Sequence, residues 1–382
     1  MGSSRIEVLL AMLPAFAYFY NVGSVGFWLP LYLRELGWSY TLINLTASAY
    51  FVAVTLATPL AGLLSDATRR PWLVLTLGMT IASATSFILP HTSGALLIAV
   101  RAIQGAGLSA GIPVALGGLS LLKGVRRGAA LTAAASGLGM STGAASAGVL
   151  ASLYGFTPIF YAAGVVAAVS AVTSALAWRP PPPPKGGGVF WGLRRVPWEV
   201  LAAMATLVVR NFFASGVFSI LSIIFSRLIG LGYVATGLAL AVNPLVQSIN
   251  SYLIQGLVRG RALMLYSMGI AGTALVFQGY LAAESAWQVL AFQVAQGFFY
   301  STTVVSGNVI MVSLSPKEIR YTASSFYSLA FNTGWILGTL ASGPAMDALG
   351  VETWVNLASM GVALASLGPI IIAWRSRRAR SL

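Results

Sequence analysis

The chain has 382 residues, of which 57% are hydrophobic and only 8% charged, against roughly 25% charged in an ordinary soluble domain. So few charges cannot clothe a water-soluble surface. The apolar residues also fall in long unbroken runs without period-2 alternation, which argues against a β-barrel and for membrane-crossing helices. A net charge of +14 would suggest a nucleic-acid partner in a soluble protein, and the lack of cysteine removes disulfides and thiolate metal sites from consideration.

Taken in chain order, runs of about 20 or more mostly apolar residues, each sufficient for one crossing, predict helices over 8–32, 41–64, 71–90, 94–121, 129–152 and 157–178. A second series follows over 198–225, 233–257, 262–283, 286–314, 318–346 and 353–374. The expected fold class is therefore an all-α membrane protein of twelve transmembrane helices in two pseudo-symmetric six-helix bundles. The first run lacks a short core followed by a small-residue cleavage site, so it is expected to remain as a helix and not to be removed as a signal peptide. Trp28, Trp72, Trp178, Trp198, Trp287, Trp354 and Trp374 fall near predicted ends, where interfacial anchors belong.

The basic residues then orient the chain. With the N-terminus inside, 18 of the 22 Lys and Arg fall on the cytoplasmic side, only Arg34 and Arg227 fall outside, and Arg101 and Arg210 lie within helices. That asymmetry predicts cytoplasmic termini in a multi-pass protein of the cell membrane. The charge thus reflects topology, with a lipid bilayer and not nucleic acid as the surroundings. Between the two series lies Arg179-Pro180 and four more prolines, then Lys185, three glycines and a basic stretch through Arg194-Arg195 to Pro197. Stiff proline and loose glycine read as a linker, dividing the chain into an N-terminal bundle 1–178, a cytoplasmic linker 179–197, and a C-terminal bundle 198–382 with a short basic tail.

The two series repeat one another. Glu7-Val8-Leu9 matches Glu199-Val200-Leu201, and Arg101-Ala102-Ile103-Gln104-Gly105 matches Gln293-Val294-Ala295-Gln296-Gly297. Gly139, Gly143 and Gly148 match Gly334, Gly338 and Gly343, and Ala177-Trp178-Arg179 matches Ala373-Trp374-Arg375. Four matches in order at nearly constant offset imply duplication. An even number of helices per half makes the repeat parallel, an arrangement that lets two bundles rock about a shared site.

Gly62-Leu63-Leu64-Ser65-Asp66-Ala67-Thr68-Arg69-Arg70, after the second predicted helix, resembles the signature loop of the major facilitator superfamily, Gly-x-Leu-Ala/Ser-Asp-Arg/Lys-x-Gly-Arg/Lys-Arg/Lys. Ala67 replaces the usual base and the later glycine is missing; a degenerate copy, Gly256-Leu257-Val258-Arg259-Gly260-Arg261, follows the eighth helix. The resemblance covers essentially the whole chain. It implies a cytoplasmic gate of Gly62, Asp66, Arg69 and Arg70, in which Asp66 meets the positive N-terminus of the helix beginning near Lys317-Glu318. Arg101-x-x-Gln104-Gly105 resembles a second motif of the family, whose Arg is tied to proton transfer in proton-linked branches. Gly139-x-x-x-Gly143-Ala144-x-x-Ala147-Gly148 resembles the antiporter motif, with Ala144 in place of its proline and Ala147 in place of a glycine. Independently of that resemblance, small residues at this spacing let helices approach closely, so Gly139, Gly143, Gly148, Gly334, Gly338 and Gly343 are expected packing positions.

Candidate substrate-binding or coupling residues are the polar groups within the apolar runs. A charge at a helix centre costs about 2.5–3.5 kcal/mol on insertion scales and so marks function by default. Arg101 and Arg210 are such charges, with Gln104 on the face of Arg101 and Asn211 beside Arg210. Tyr18 and Asn21 on the first helix, Asn243 and Gln247 on the eighth, and Gln293 and Gln296 on the tenth complete the set; for these amides, hydrogen bonds between helices are the competing reading. In the family, the first, fourth, seventh and tenth helices line the central cavity. All eight carboxylates fall at helix ends: Glu7, Asp66, Glu199 and Glu318 inside, Glu35, Glu284, Asp347 and Glu352 outside. The only histidine, His91, reads as solvated in an outer loop. Two buried bases without a buried acid favour an anionic or neutral amphiphilic cargo over a cationic drug. The expectation is a secondary transporter working by alternating access, with protons as a coupling partner, most simply as a monomer, and not an enzyme. No cofactor or metal is expected, and phosphate-loop and His-Glu-x-x-His signatures are lacking. Broad-specificity efflux of hydrophobic compounds and a non-transporting sensor or scaffold are the alternatives.

Overall fold

The computed structural model describes residues 5–123, 125–177, 197–258, 260–314 and 320–376. The described residues are helical throughout apart from short turns. In chain order they form α1 (Arg5–Asn21), α2 (Phe27–Glu35), α3 (Tyr40–Thr68), α4 (Pro71–Ile88), α5 (Gly94–Leu108), α6 (Gly111–Lys123), α7 (Val125–Tyr154) and α8 (Thr157–Leu176). There follow α9 (Trp198–Phe218), α10 (Leu221–Ile223), α11 (Tyr233–Leu253), α12 (Ala262–Ala282), α13 (Ala286–Leu314), α14 (Arg320–Leu349), α15 (Val351–Ala365) and α16 (Leu367–Arg375). Trp178 and residues 179–196 of the linker lie outside the described residues.

Among the described residues, eight segments are long and apolar enough to cross a membrane: 5–35, 40–65, 71–91, 94–120, 157–176, 198–218, 262–282 and 351–375. The helices α7, α11, α13 and α14, of 21 to 30 residues, are not among them; they carry many of the Gly, Ser, Thr and amide residues. Several predicted helices are joined or interrupted by local irregularities. A π-turn at Val22–Gly26 joins α1 to α2, and a second at Ile224–Leu228 follows α10. Pro14, Pro30, Pro59, Pro244 and Pro344 lie inside helices, as membrane helices tolerate when neighbours satisfy the freed carbonyls. Large exposed apolar side chains such as Leu56, Leu275 and Met360 line outward surfaces, where hydrocarbon would meet them.

The contacts divide the chain into two compact units: 1–37, 45–186 and 230–244 form the first, and 38–44, 187–229 and 245–382 the second. In the first, α1 packs on α7, and α4 on α5 and α8; in the second, α9 packs on α14, and α12 on α13 and α15. The glycines explain the closest pairs. A Cβ at Gly139 or Gly143 would overlap the carbonyl oxygens of Phe16 and Tyr20 on α1. One at Gly338 would overlap that of Phe212 on α9, and one at Gly334 would come within 2.7 Å of that of Val208. Phe16 and Val208, like Tyr20 and Phe212, stand at the offset of the sequence repeat, so each duplicated glycine meets a duplicated carbonyl. Gly148 and Gly343 continue the pattern: a Cβ there would come within 2.7 and 2.8 Å of the carbonyl oxygens of Tyr233 and Tyr40, the first residues of α11 and α3.

Candidate functional site

In the first unit α5 turns Arg101, Gln104 and Leu108 into the interior. Arg101 Nη1 donates to Asn21 Oδ1 at 3.4 Å and to Gln104 Oε1. Gln104 Nε2 donates to Ser86 Oγ at 2.6 Å, and Asn21 Nδ2 reaches the same oxygen at 3.4 Å. The Ser86 hydroxyl donates in turn to the Ala82 carbonyl. The guanidinium carbon lies 4.1 Å from the centroid of the Tyr50 ring, a cation–π contact worth about 2 kcal/mol where water is excluded. Arg101 is thus held by neutral amides, a hydroxyl relay and a ring. Tyr18 is buried in the same unit among Tyr50, Val54, Met79 and Leu108.

In the second unit α9 buries Arg210 and Asn211. Arg210 Nη1 donates to Asn211 Oδ1 at 2.8 Å, and Nη2 to Thr273 Oγ1 at 3.3 Å. Asn211 Nδ2 donates to the Phe331 carbonyl at 3.2 Å. The guanidinium stands 5.1 Å from the Tyr300 ring and 5.6 Å from that of Phe218. Its Nε has no hydrogen-bond partner among the described residues. Gln296, fully buried one turn before Tyr300, leaves both amide atoms without a partner among them, whereas Gln293 accepts a hydrogen bond from Tyr280 at 3.0 Å.

The remaining amides divide. Asn243 is buried and Gln247 half-buried on α11. One turn on, Asn250 is spent between helices, donating to the Phe298 carbonyl, Ser301 and Thr302. Gly62 is half-buried within α3, which runs on to Thr68, and Arg69 and Arg70 are exposed in the turn that follows. The Asp66 side chain and residues 315–319 lie outside the described residues. Arg69 has a left-handed backbone, φ 54°, and stands where the family signature carries its later glycine. The matching turn after α11 places Gly260, φ 76°, at that point.

Sequence reasoning missed Ser86, Tyr50 and Thr273, the partners of the bases, because nothing in their spacing singles them out. His91 is exposed but not merely solvated, its Nε2 lying 2.8 Å from the Tyr161 hydroxyl. Asp347, read only as a residue at an outer helix end, binds the start of α3: its carboxylate accepts from the Tyr40 amide at 2.9 Å, the Thr41 amide at 2.8 Å and the Thr41 hydroxyl at 2.6 Å.

A family model described as Major Facilitator Superfamily matches residues 11–265, well over half of the chain. No curated protein matches. Among solved structures, a mutant of the nucleoside transporter NupG superposes with a TM-score of 0.83 at 13% identity, over 96% of this chain and 99% of that one. A bacterial homologue of the human lysosomal transporter Spinster, inward-facing and occupied, gives 0.80 at 12% identity over 99% of both chains. A POT family transporter in complex with a thioalcohol-conjugated peptide gives 0.74 at 13%, over 97% and 95%. At such identities these structures share the fold.

Proposed function

This chain belongs to the major facilitator superfamily, as a multi-pass membrane transport protein and not an enzyme, and we propose that it moves a small organic solute by secondary active transport through alternating access. In this reading it has twelve crossing helices in two six-helix bundles, 1–178 and 198–382, joined by a cytoplasmic linker, with both termini in the cytoplasm. The cargo is an anion or a neutral amphiphile. The observation that carries this is the pair of buried guanidiniums, Arg101 and Arg210, each contacted only by neutral groups among the described residues. A base kept in an apolar interior without a counter-charge is costly, and an arriving anion would relieve that cost. Asn21 and Gln104 beside Arg101, and Asn211 beside Arg210, serve as neutral binding groups, with Gln296 as a further buried amide, and Asp66 with Arg69 and Arg70 forms the inner gate. Proton linkage would then run through the cargo's own acid group.

The aromatic surroundings of Arg210 favour a second reading, export of hydrophobic compounds of mixed structure. Reconstituted protein tested for uptake of organic anions, nucleosides, peptides and lipophilic compounds, with and without a pH gradient, separates the two. Flux confined to anions and accelerated by the gradient supports the first reading. Flux of unrelated uncharged lipophiles supports the second, and gradient-insensitive flux removes proton coupling.

A further inference from the structure

The two buried bases are held differently. Arg101 is bonded through Nη1, which is shared by Asn21 and Gln104, and both amides lead on to Ser86. Arg210 is engaged on one edge only. Asn211 takes Nη1 at 2.8 Å, while on the opposite edge Nη2 has a long contact to Thr273 and Nε has no partner among the described residues. Thr273 does not depend on that contact, because its hydroxyl also donates to the Gly269 carbonyl at 3.1 Å. The Nε–Nη2 edge is the one that receives a carboxylate through two parallel hydrogen bonds.

Three further features define the ligand. Among the described residues every contact of the guanidinium is to a neutral group, so one negative charge, and not two, is matched. Gln296 supplies a buried amide with unused donor and acceptor capacity on the helix face of Tyr300. The surroundings are rings: Phe218 lies 5.4 Å from Phe277, 6.2 Å from Tyr300 and, nearly parallel at 14°, 5.9 Å from Trp335. Tyr300 and Trp335 are only half-buried. Flat, polarisable walls suit a flat, polarisable body.

We propose that the second unit contains a binding site for a monoanionic aromatic carboxylate, whose carboxylate docks on the Nε–Nη2 edge of Arg210, displacing Thr273, with Gln296 completing its hydrogen bonds and Phe218, Tyr300 and Trp335 flanking its ring. The assignment rests on the transport reading for its purpose, but it is tested by binding and not by flux.

The test is equilibrium binding of 2-naphthoate to the full-length protein in lipid nanodiscs, with 2-naphthamide and cyclohexanecarboxylate for comparison. The acid should bind at least about tenfold more tightly than the amide, as the loss of a charge-assisted pair requires. Cyclohexanecarboxylate should be weaker by about three- to tenfold for want of ring contacts. Arg210→Gln should lose at least about tenfold, and Gln296→Leu about fivefold, while Arg227→Gln, at an exposed base, stays within about threefold of the parent. If Arg210→Gln does not fold, as judged by its melting transition, Arg210→Lys serves instead; it keeps the charge without the fork and should still lose about fivefold. No naphthoate binding to the parent protein, equal binding of acid and amide, or binding indifferent to the Arg210 variant that folds would overturn the site. Flux of some other solute would meanwhile leave the transport reading standing.

Discussion

Asp347→Asn is the perturbation whose effect follows most directly from the geometry. The carboxylate of this exposed residue, one position past the predicted 318–346 span, accepts three hydrogen bonds from the first turn of α3, at 2.9, 2.8 and 2.6 Å. It works as a capping group supplied from a distant helix, satisfying amides that a helix start leaves unpaired. A side-chain cap is worth about 1 kcal/mol, and a negative charge at a helix N-terminus about 0.3–1 kcal/mol where solvent screens it. Asparagine keeps one acceptor oxygen but loses the charge and the second oxygen, so the expected loss is about 1 kcal/mol, roughly a fivefold rise in local opening. Hydrogen–deuterium exchange of the segment beginning at Tyr40 and Thr41 reads that opening, because those two amides are the donors. Acid should mimic the substitution. Partial burial pushes the Asp347 carboxyl up, but hydrogen bonds from Thr41 and Tyr40, with Ser39, outweigh it and hold the group below its ordinary value. The contribution is therefore complete at neutral pH and is lost only as the pH falls through that depressed value. Wild type should lose protection in acid, after correction for intrinsic rates, while Asp347→Asn should be flat. Unchanged exchange at neutral pH in the variant would refute the reasoning.

Two more predictions concern the backbone. Gly143→Val and Gly338→Val drive side chains into the carbonyls of Tyr20 and Phe212, so each should lower the melting temperature or abolish folding, at about 3 kcal/mol or more. Gly117→Ala, with nothing within 4 Å of the new Cβ, should be neutral or stabilising by up to about 1 kcal/mol. Arg69→Gly removes the strain of a left-handed arginine and should stabilise the folded protein by up to about 1 kcal/mol, read as a raised melting temperature; a lowered one would mean that the Arg69 side chain contributes more than its backbone costs.

What the sequence discloses about this molecule depends on the range of the interaction. Apolar runs disclose helices because each crossing must satisfy its own backbone bonds. Arg101 and Gln104 could be placed on one face because a helix puts i and i+3 together, and the duplicated glycines pointed to close approach because only glycine permits it. Contacts made across the chain were not legible. Asp347 meets Tyr40 across 307 residues, and no periodicity joins them. Thr273 and Tyr50 are ordinary interior residues until a guanidinium is placed beside them. The amides show the limit most plainly: Asn250 and Gln296 look alike as buried polar residues in apolar runs, yet one is spent between helices and the other is left unpaired. Arg69 could not have been read as left-handed from its own identity, only from the glycine that the family signature carries there.

The central claim is alternating access, and paired distances test it without knowledge of the cargo. The chain has no cysteine, so spin labels can be placed pairwise through introduced cysteines. One pair replaces the exposed Leu36 and Leu349 at the predicted outer end, and the other the exposed Arg70 and Leu257 at the predicted inner end. Measured by electron–electron double resonance in lipid nanodiscs over a range of pH, the two distances should each populate a short and a long state. They should also shift in opposite senses, the outer pair lengthening as the inner shortens. Single, condition-independent distances at both ends, or both ends lengthening together, would contradict it.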